Sequence, residues 1–121
     1  MMRLEQAPTQ ELIDRFTRIG EEQYQAIWVM NNARYNHLYR EMQEIKDELK
    51  RRPGDERREL AKLYDHPNMQ VRLMSARATL ALSYAAARQV IQSIADSGFL
   101  PYSADAGMTL LNLDRGIYKP T

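Results

Sequence analysis

The chain has 121 residues, a length typical of one domain with one hydrophobic core. Its 17 basic and 16 acidic side chains leave a net charge of +1 that is spread evenly along the sequence, so no block is basic enough to form a phosphate-binding surface. The absence of cysteine excludes disulfides, thiol catalysis and thiolate metal sites.

The sequence also favours a cytoplasmic protein without a membrane partner. The N-terminus, Met-Met-Arg-Leu-Glu, carries an early acidic residue and lacks the apolar segment of a signal peptide. The longest apolar run, residues 76–87, contains Arg77 and falls short of the roughly 20 residues that a membrane span needs. Five glycines and five prolines, with few β-branched runs, indicate an all-α chain.

The first half of the chain predicts one or two helices over residues 9–52. Thr9 is a suitable N-cap, and Glu11 in the following turn suits the positive end of a helix dipole. Apolar residues then recur at steps of three and four, which is helical periodicity. The clearest run of this kind is Tyr35, Leu38, Met42, Ile45 and Leu49.

A break is expected inside this region because one continuous helix would be too long for the domain. A helix from Thr9 to Arg51 would span about 60 Å at about 1.5 Å per residue, whereas a compact domain of this length has a diameter of roughly 35 Å. The candidate positions are Gly20 and the pair Asn31-Asn32. Asn31 continues the aromatic spacing that joins the two stretches, so we favour a break at Gly20.

The second half predicts a series of shorter helices over residues 55–116. Asp55 is suited to cap the first of them, directly after the stop signal Pro53-Gly54. Ser83 and Ser103 are suited to cap two more, although a helix that continues through Ser83 is an alternative because residues 82–84 contain neither Gly nor Pro. The expected helix ends are Gly98 and Gly116, followed by a tail over 117–121.

The central helix of this half is the most apolar segment of the chain. Pro67 disfavours helical geometry at the preceding residue, and Asn68 supplies a side-chain oxygen to cap the first turn. Behind this cap, Val71 and the residues that follow are apolar on nearly every side, so other helices must cover this one. We therefore expect a single all-α domain, residues 1–121, organised around residues 65–82.

The segment His-Pro-Asn-Met-Gln-Val-Arg-Leu-Met-Ser-Ala at residues 66–76 resembles the opening of a HEAT repeat. The likeness extends over residues 55–116, and the whole chain is similar to a bacterial family of small HEAT- or armadillo-like proteins of unknown function. It implies a right-handed α-α superhelix in which a long N-terminal helix or helical hairpin supplies the missing packing layers. It also implies that Arg72 binds a carboxylate or a carbonyl of the neighbouring turn, for which Asp65 and Asp105 are the candidates. Structural roles are thus assigned to Asp65, Pro67, Asn68, Val71 and Arg72.

A cluster of aromatic residues is the candidate interaction surface. The chain has seven tyrosines and one tryptophan, and four of these eight residues lie within positions 24–39. One interpretation is that they pack in the core; the other is an exposed surface, since Trp, Tyr and Arg dominate binding hot spots. A helical stripe with Asn31 also suits pairing with a second copy of the chain. The candidate residues are Tyr24, Trp28, Arg34, Tyr35, Tyr39 and Arg40.

No catalytic, cofactor or metal motif stands out. His37 and His66 are far apart, and no carboxylates are spaced to complete a metal site with either. We predict a non-enzymatic binding or scaffold module, without cofactor or metal, whose partner is a protein or a second copy. The first alternative is a HEAT-like nucleic-acid binder that uses Arg34, Arg40, Arg77 and Arg88, which the even charge distribution disfavours. The second is a hydrolase built on Asp65-His66 with Ser75, Ser83 or Ser103.

Overall fold

The chain is built from helices. The computed structural model describes residues 3–121, and within that range it contains no strand. Two 3₁₀ segments, Leu4–Gln6 and Glu56–Leu63, precede α1 and α3. The all-α prediction is therefore confirmed. The α-helices are α1 (Thr9–Trp28), α2 (Asn32–Arg51), α3 (Met69–Thr79), α4 (Tyr84–Asp96) and α5 (Tyr102–Asp114).

The N-terminal region is an antiparallel hairpin of α1 and α2, with the break at Val29–Asn31. Met30 adopts the left-handed conformation with φ of 56°, and the Asn31 side chain caps α2 by accepting a hydrogen bond from the backbone N–H of Arg34 at 3.1 Å. The preferred break at Gly20 is wrong, because Gly20 lies inside α1. A capping asparagine and one strained residue turn the chain here without any glycine.

Gly20 has a packing role instead. A Cβ atom at this position would lie 2.8 Å from Cγ2 of Val71 in α3, closer than real Cβ contacts come. The missing side chain therefore allows α1 and α3 to approach each other closely. Val71 is completely buried at this crossing, as the sequence predicts.

Helix α3 occupies the centre of the core. It packs against α1, the second 3₁₀ segment and α4. The predicted start is confirmed, because the Asn68 side chain accepts hydrogen bonds from the backbone N–H groups of Gln70 and Val71 at 3.0 and 3.2 Å. The helix ends at Thr79, and α4 begins after Ser83, so the chain does not continue as one helix through this point.

Two of the predicted caps differ from the structure. Thr9 is the first residue of α1, with Pro8 in the N-cap position, and its hydroxyl donates a hydrogen bond to Glu56. Helix α5 begins at Tyr102, before the expected cap Ser103. In both cases a proline occupies the N-cap position of the helix, which moves its start relative to the hydroxyl residue.

The end of the hairpin where α1 begins and α2 ends is held by Arg52; we call it the closed end. Arg52 Nε donates to Glu48 Oε2 at 2.9 Å, and Nη2 donates to the backbone oxygens of Leu4 and Ala7 at 2.9 and 2.7 Å. Glu48 is 6% exposed and also accepts from Arg51 at 2.9 Å. The i,i+4 spacing of Glu48 and Arg52 predicts a pair on a solvated helix face. That prediction is wrong, because the N-terminal 3₁₀ segment covers both residues.

Candidate interaction surface

The opposite end of the hairpin exposes three consecutive apolar side chains; we call it the open end. Trp28, Val29 and Met30 are 53%, 72% and 84% exposed. The left-handed turn at Met30 reverses the chain within three residues, which leaves these side chains outside the contact between α1 and α2. Exposed apolar side chains are unremarkable when scattered singly, but contiguous ones mark interaction sites.

The turn between α4 and α5 enlarges this surface. Phe99 and Leu100 follow Gly98 and are 44% and 66% exposed. The rings of Trp28 and Phe99 are in edge contact, with centroids 6.1 Å apart, so the two turns form one surface. Phe99 therefore connects the turn before α5 to the hairpin through its ring contact with Trp28. We call Trp28, Val29, Met30, Phe99 and Leu100 the open-end patch.

A stack of rings supports the patch from below. Phe99 stacks on Tyr102 with centroids 5.9 Å apart, and Tyr102 stacks on Tyr24 at 5.3 Å with nearly parallel rings. Tyr102 is buried, and burial raises its pKa to about 12. Offset and edge contacts between rings are favourable beyond the area they bury. The exposed members Trp28 and Phe99 are thus fixed on an ordered base.

A shallow cleft of about 480 Å³ adjoins the patch at Phe99. It is lined by Glu21, Tyr24 and residues at the start of α3, including His66 and Arg72. His66 Nδ1 accepts a hydrogen bond from the backbone N–H of Asn68 at 3.0 Å, and this bond stabilises the turn before α3. The cleft thus places one acidic and one basic side chain beside the apolar patch.

The pairing expected for Arg72 is wrong. Asp105 accepts instead from Arg77 Nη2 at 2.6 Å, and Asp65 forms no ion pair within the described part of the chain. Among residues 3–121, Arg72 likewise has no ion-pair partner, and its Nε atom is buried without a hydrogen bond. Arg77 reaches α5 because it lies more than one turn further along α3. Arg72 lines the cleft without a carboxylate partner among the described residues.

The structure divides the six candidate residues between two sides of the molecule. Trp28 belongs to the open-end patch, and Tyr24 lies half-buried beneath it. Tyr39 lines a separate groove. Tyr35 is partly buried, and this burial together with the negative charge of Asp105 raises its pKa. The remaining two, Arg34 and Arg40, are exposed on α2.

The arginines of the nucleic-acid alternative are mostly neutralised. Arg34 pairs with Glu22 at 3.4 Å. Arg77 pairs with Asp105, and Arg88 pairs with Asp114 at 2.9 Å. Three of the four arginines therefore have carboxylate partners, which lowers the net positive charge that they present to a phosphate.

The serines of the hydrolase alternative are not joined to His66. Ser75 is buried and donates to the backbone oxygen of Arg72 at 3.0 Å. Within residues 3–121, no hydrogen bond links His66 to Ser75, Ser83 or Ser103. The same range contains no group of three His, Asp or Glu side chains placed to hold a metal ion. None of its helices combines the length and the apolar character needed to cross a bilayer.

Sequence reasoning missed four of the five patch residues. Val29 and Met30 continue an apolar run into the turn after α1. Phe99 and Leu100 are two further apolar residues in the turn that follows Gly98. Apolar residues inside a turn break the usual pattern of polar loops. That violation, at two turns of one chain, is the sequence signal for these four residues, whereas the contact between the two turns is seen only in the structure.

The fold and this surface together define a small all-α protein with an apolar patch at one end. The chain belongs to the family described as a domain of unknown function, DUF2019, whose family model matches residues 10–114. It is similar to the protein RPA1889 from Rhodopseudomonas palustris, known from a crystal structure, with 42% identity over 100% of both chains and a TM-score of 0.95. Among curated proteins there is no significant match.

Proposed function

We propose that the protein is a non-enzymatic protein-binding module that docks through the open-end patch. One observation carries the proposal: five large apolar side chains from two turns are exposed together and joined by the contact between Trp28 and Phe99. Burial of apolar surface is the main favourable term in protein association. The patch also includes Trp, Phe and Met, which are enriched at interfaces.

The ring stack makes the patch well suited to docking. Phe99, Tyr102 and Tyr24 hold one another in stacked contact, so Trp28 and Phe99 lose little conformational freedom when a partner covers them. A preorganised surface binds more tightly than a flexible one of equal area, because less ordering entropy is lost. The patch is thus built as a fixed surface rather than as a loose loop.

The partner that fits this surface is a second copy of the chain. Twofold dimers use the same surface on both subunits, so that surface must be complementary to itself. The cleft beside the patch carries both Glu21 and Arg72, and Arg72 has no carboxylate partner among the described residues. Across a twofold axis, Glu21 of each copy would meet Arg72 of the other, while the two patches cover each other.

The same proposal keeps the HEAT- or armadillo-like arrangement for residues 55–116. It is supported by the packing of α3 on α4 and of α4 on α5, with α1 covering the other side of α3. Stacks of consecutive helices are typical of α-solenoids. A cytoplasmic location and the absence of catalysis stay predictions from the sequence.

Light scattering over a range of protein concentrations tests the docking surface. We expect the wild-type mass to rise toward that of a dimer with concentration. Met30→Glu places a charge in the patch and should leave a folded monomer, since Met30 is 84% exposed and contributes little to the core. Trp28→Ala should weaken association more mildly. Ile117→Glu is the matched control, because Ile117 is 69% exposed but lies outside the patch.

A charge exchange tests the twofold pairing of Glu21 with Arg72. Glu21→Arg and Arg72→Glu should each yield monomers, because the two cleft charges then repel across the axis. An equimolar mixture of the two variants should restore the dimer, since each opposite-charge pair is re-formed. Dimerisation of either variant alone, or failure of the mixture, would contradict this pairing.

Two further outcomes would show which part of the proposal is wrong, the identity of the partner or the position of the interface. A wild-type mass that stays monomeric at every concentration would exclude a second copy as the partner, leaving a different protein as the occupant of the patch. A dimer that survives Met30→Glu but dissociates with Ile117→Glu would place the interface on another side of the molecule.

A further inference from the structure

A groove on another side of the molecule lies between α2 and α5. It has a volume of about 380 Å³, with buried residues of α1 and α3, namely Phe16, Met74 and Ala78, at its base. None of the five open-end patch residues lines it. This volume falls in the range of pockets that hold small molecules, which is roughly 300–1,000 Å³.

The walls of the groove combine polar groups with adaptable apolar side chains. Met42, Met74 and Met108 line it together with the rings of Tyr39 and Tyr118. Met108 is 55% exposed and Tyr39 is 44% exposed, so apolar surface is left uncovered along the groove. Methionine side chains are flexible and polarisable, and they fit apolar ligands of varied shape.

The charges in the groove do not balance. Three charged side chains line it, namely Lys46, Arg77 and Asp105. Asp105 is already bound by Arg77 at 2.6 Å, and Arg77 also donates to the hydroxyl of Thr109. This leaves Lys46, which forms no ion pair within residues 3–121, and a net charge of +1 in the groove.

Lys46 is placed at an electrostatic disadvantage in the free protein. It is half-buried among the groove residues, and burial lowers its pKa, while nearby Asp47 acts in the opposite direction. Moving a charge out of water is unfavourable unless it gains a partner of opposite sign. An anion bound in the groove would supply that partner.

We propose that this groove binds a small molecule with one carboxylate and an apolar body. The carboxylate pairs with the ammonium group of Lys46, and the apolar body lies against the three methionines. The amides of Gln43 and Asn112 also line the groove and offer further donors. The chemistry follows from the lining: one uncompensated positive charge beside three methionines and two tyrosine rings. This site is independent of the open-end patch.

The methionines allow the site to be located directly by NMR. In protein labelled with ¹³C at the methionine methyl groups, titration with sodium decanoate below its micelle concentration should shift the signals of Met42, Met74 and Met108. Met30 in the open-end patch and Met69 beside Arg72 lie outside the groove, and their signals should stay in place.

Substitution of the lysine tests the charge pairing. Lys46→Gln should weaken decanoate binding at least tenfold. Lys50→Gln is the matched control, because it removes the same charge from an exposed position one turn further along α2 and should change the affinity less than twofold. Decanol, which has the same chain without the carboxylate, should bind at least tenfold more weakly than decanoate. Met108→Glu, at an exposed position, should abolish decanoate binding in a folded protein.

Several results would overturn the proposal. One is the absence of shifts at Met42, Met74 and Met108 with millimolar decanoate. Another is an equal loss of affinity in Lys46→Gln and Lys50→Gln, which would mean that only the net charge matters. A third is a shift confined to Met30 and Met69, which would mean that decanoate binds the open-end patch.

Discussion

The two ends of the α1–α2 hairpin are held together by different kinds of contact. At the closed end, Arg52 joins α2 to the first residues of the chain through hydrogen bonds to Glu48 and to the backbone of Leu4 and Ala7. At the open end, the turn is closed locally by the cap of Asn31 and leaves Met30 exposed. The closed end is therefore held by contacts between distant parts of the chain, whereas the open end leaves apolar side chains exposed to solvent.

The two ends differ in the contacts that a substitution would remove. The hydrogen bonds from Arg52 to Leu4 and Ala7 join residues more than forty positions apart and are partly buried, so their removal leaves partly buried backbone oxygens without these donors. Val29, Met30 and Leu100 at the open end are 72%, 84% and 66% exposed already, so their removal exposes little that was hidden. Substitutions of decreasing expected effect test this difference.

The largest effect is expected for Arg52→Ala. It leaves the buried carboxylate of Glu48 with one exposed partner and removes the bonds to Leu4 and Ala7, so unfolding should become easier by about 3–5 kcal/mol, as for one partner lost from a buried ion pair. Urea unfolding measures this change. Arg51→Ala is the control: Arg51 binds the same carboxylate but is 67% exposed, and the expected loss is about 1 kcal/mol or less.

The second prediction concerns the acid side of the stability curve. Hydrogen bonds from Arg52 and then Arg51 lower the pKa of Glu48 in the folded protein. Glu48 therefore contributes stability that is fully present above the pKa of an unfolded glutamate, about 4.3, and is lost as the pH falls through the lower folded value.

Glu48→Gln removes that contribution. At pH 7 the variant should be less stable by about 1.5–3 kcal/mol, the usual range for hydrogen bonds to a charged group. The difference from the wild type should shrink as the pH falls below about 4. A difference that is the same at pH 7 and pH 3 would show that the charge of Glu48 contributes nothing.

The third prediction compares two glycines inside helices. Gly20→Ala places a methyl group 2.8 Å from Val71 and should destabilise the protein by about 1–3 kcal/mol through overpacking. Gly107→Ala in α5 meets no atom within 4 Å and should stabilise it by up to about 1 kcal/mol, since alanine is the better helix former. Thermal unfolding by circular dichroism distinguishes the two signs. Equal effects would refute the close approach of α1 and α3.

The smallest effect on stability, and the clearest contrast with the closed end, is expected for Met30→Gly. A left-handed residue other than glycine costs roughly 1–2 kcal/mol, and glycine relieves that strain at some loss of chain entropy. Stability should change by less than about 1 kcal/mol, while dimer formation in light scattering weakens. A stability loss comparable to that of Arg52→Ala would remove the distinction between the two ends.

Features encoded by local chemistry are predictable from this sequence. The start of α3 follows from Pro67 and Asn68, because a cap needs only its own side chain and the next turn. The ends of α4 and α5 at Gly98 and Gly116 follow in the same way, since both glycines adopt positive φ.

Features that depend on distant contacts are not predictable in this way. The role of Gly20 is set by Val71, which lies in another helix. Glu48 and Arg52 have the spacing of a surface pair, and only the covering segment around Leu4 makes them internal. The patch likewise depends on two turns that meet in space, so helical periodicity alone finds Trp28 but not Phe99.

The position of Trp28 has a consequence for spectroscopy. It is the chain's single tryptophan, and its half-exposed ring lies at the open end, in contact with Tyr24 and Phe99. Intrinsic fluorescence therefore reports on the solvent around this corner rather than on the core. Its emission should move to shorter wavelength when a partner covers the ring, which makes the protein its own unlabelled sensor of docking.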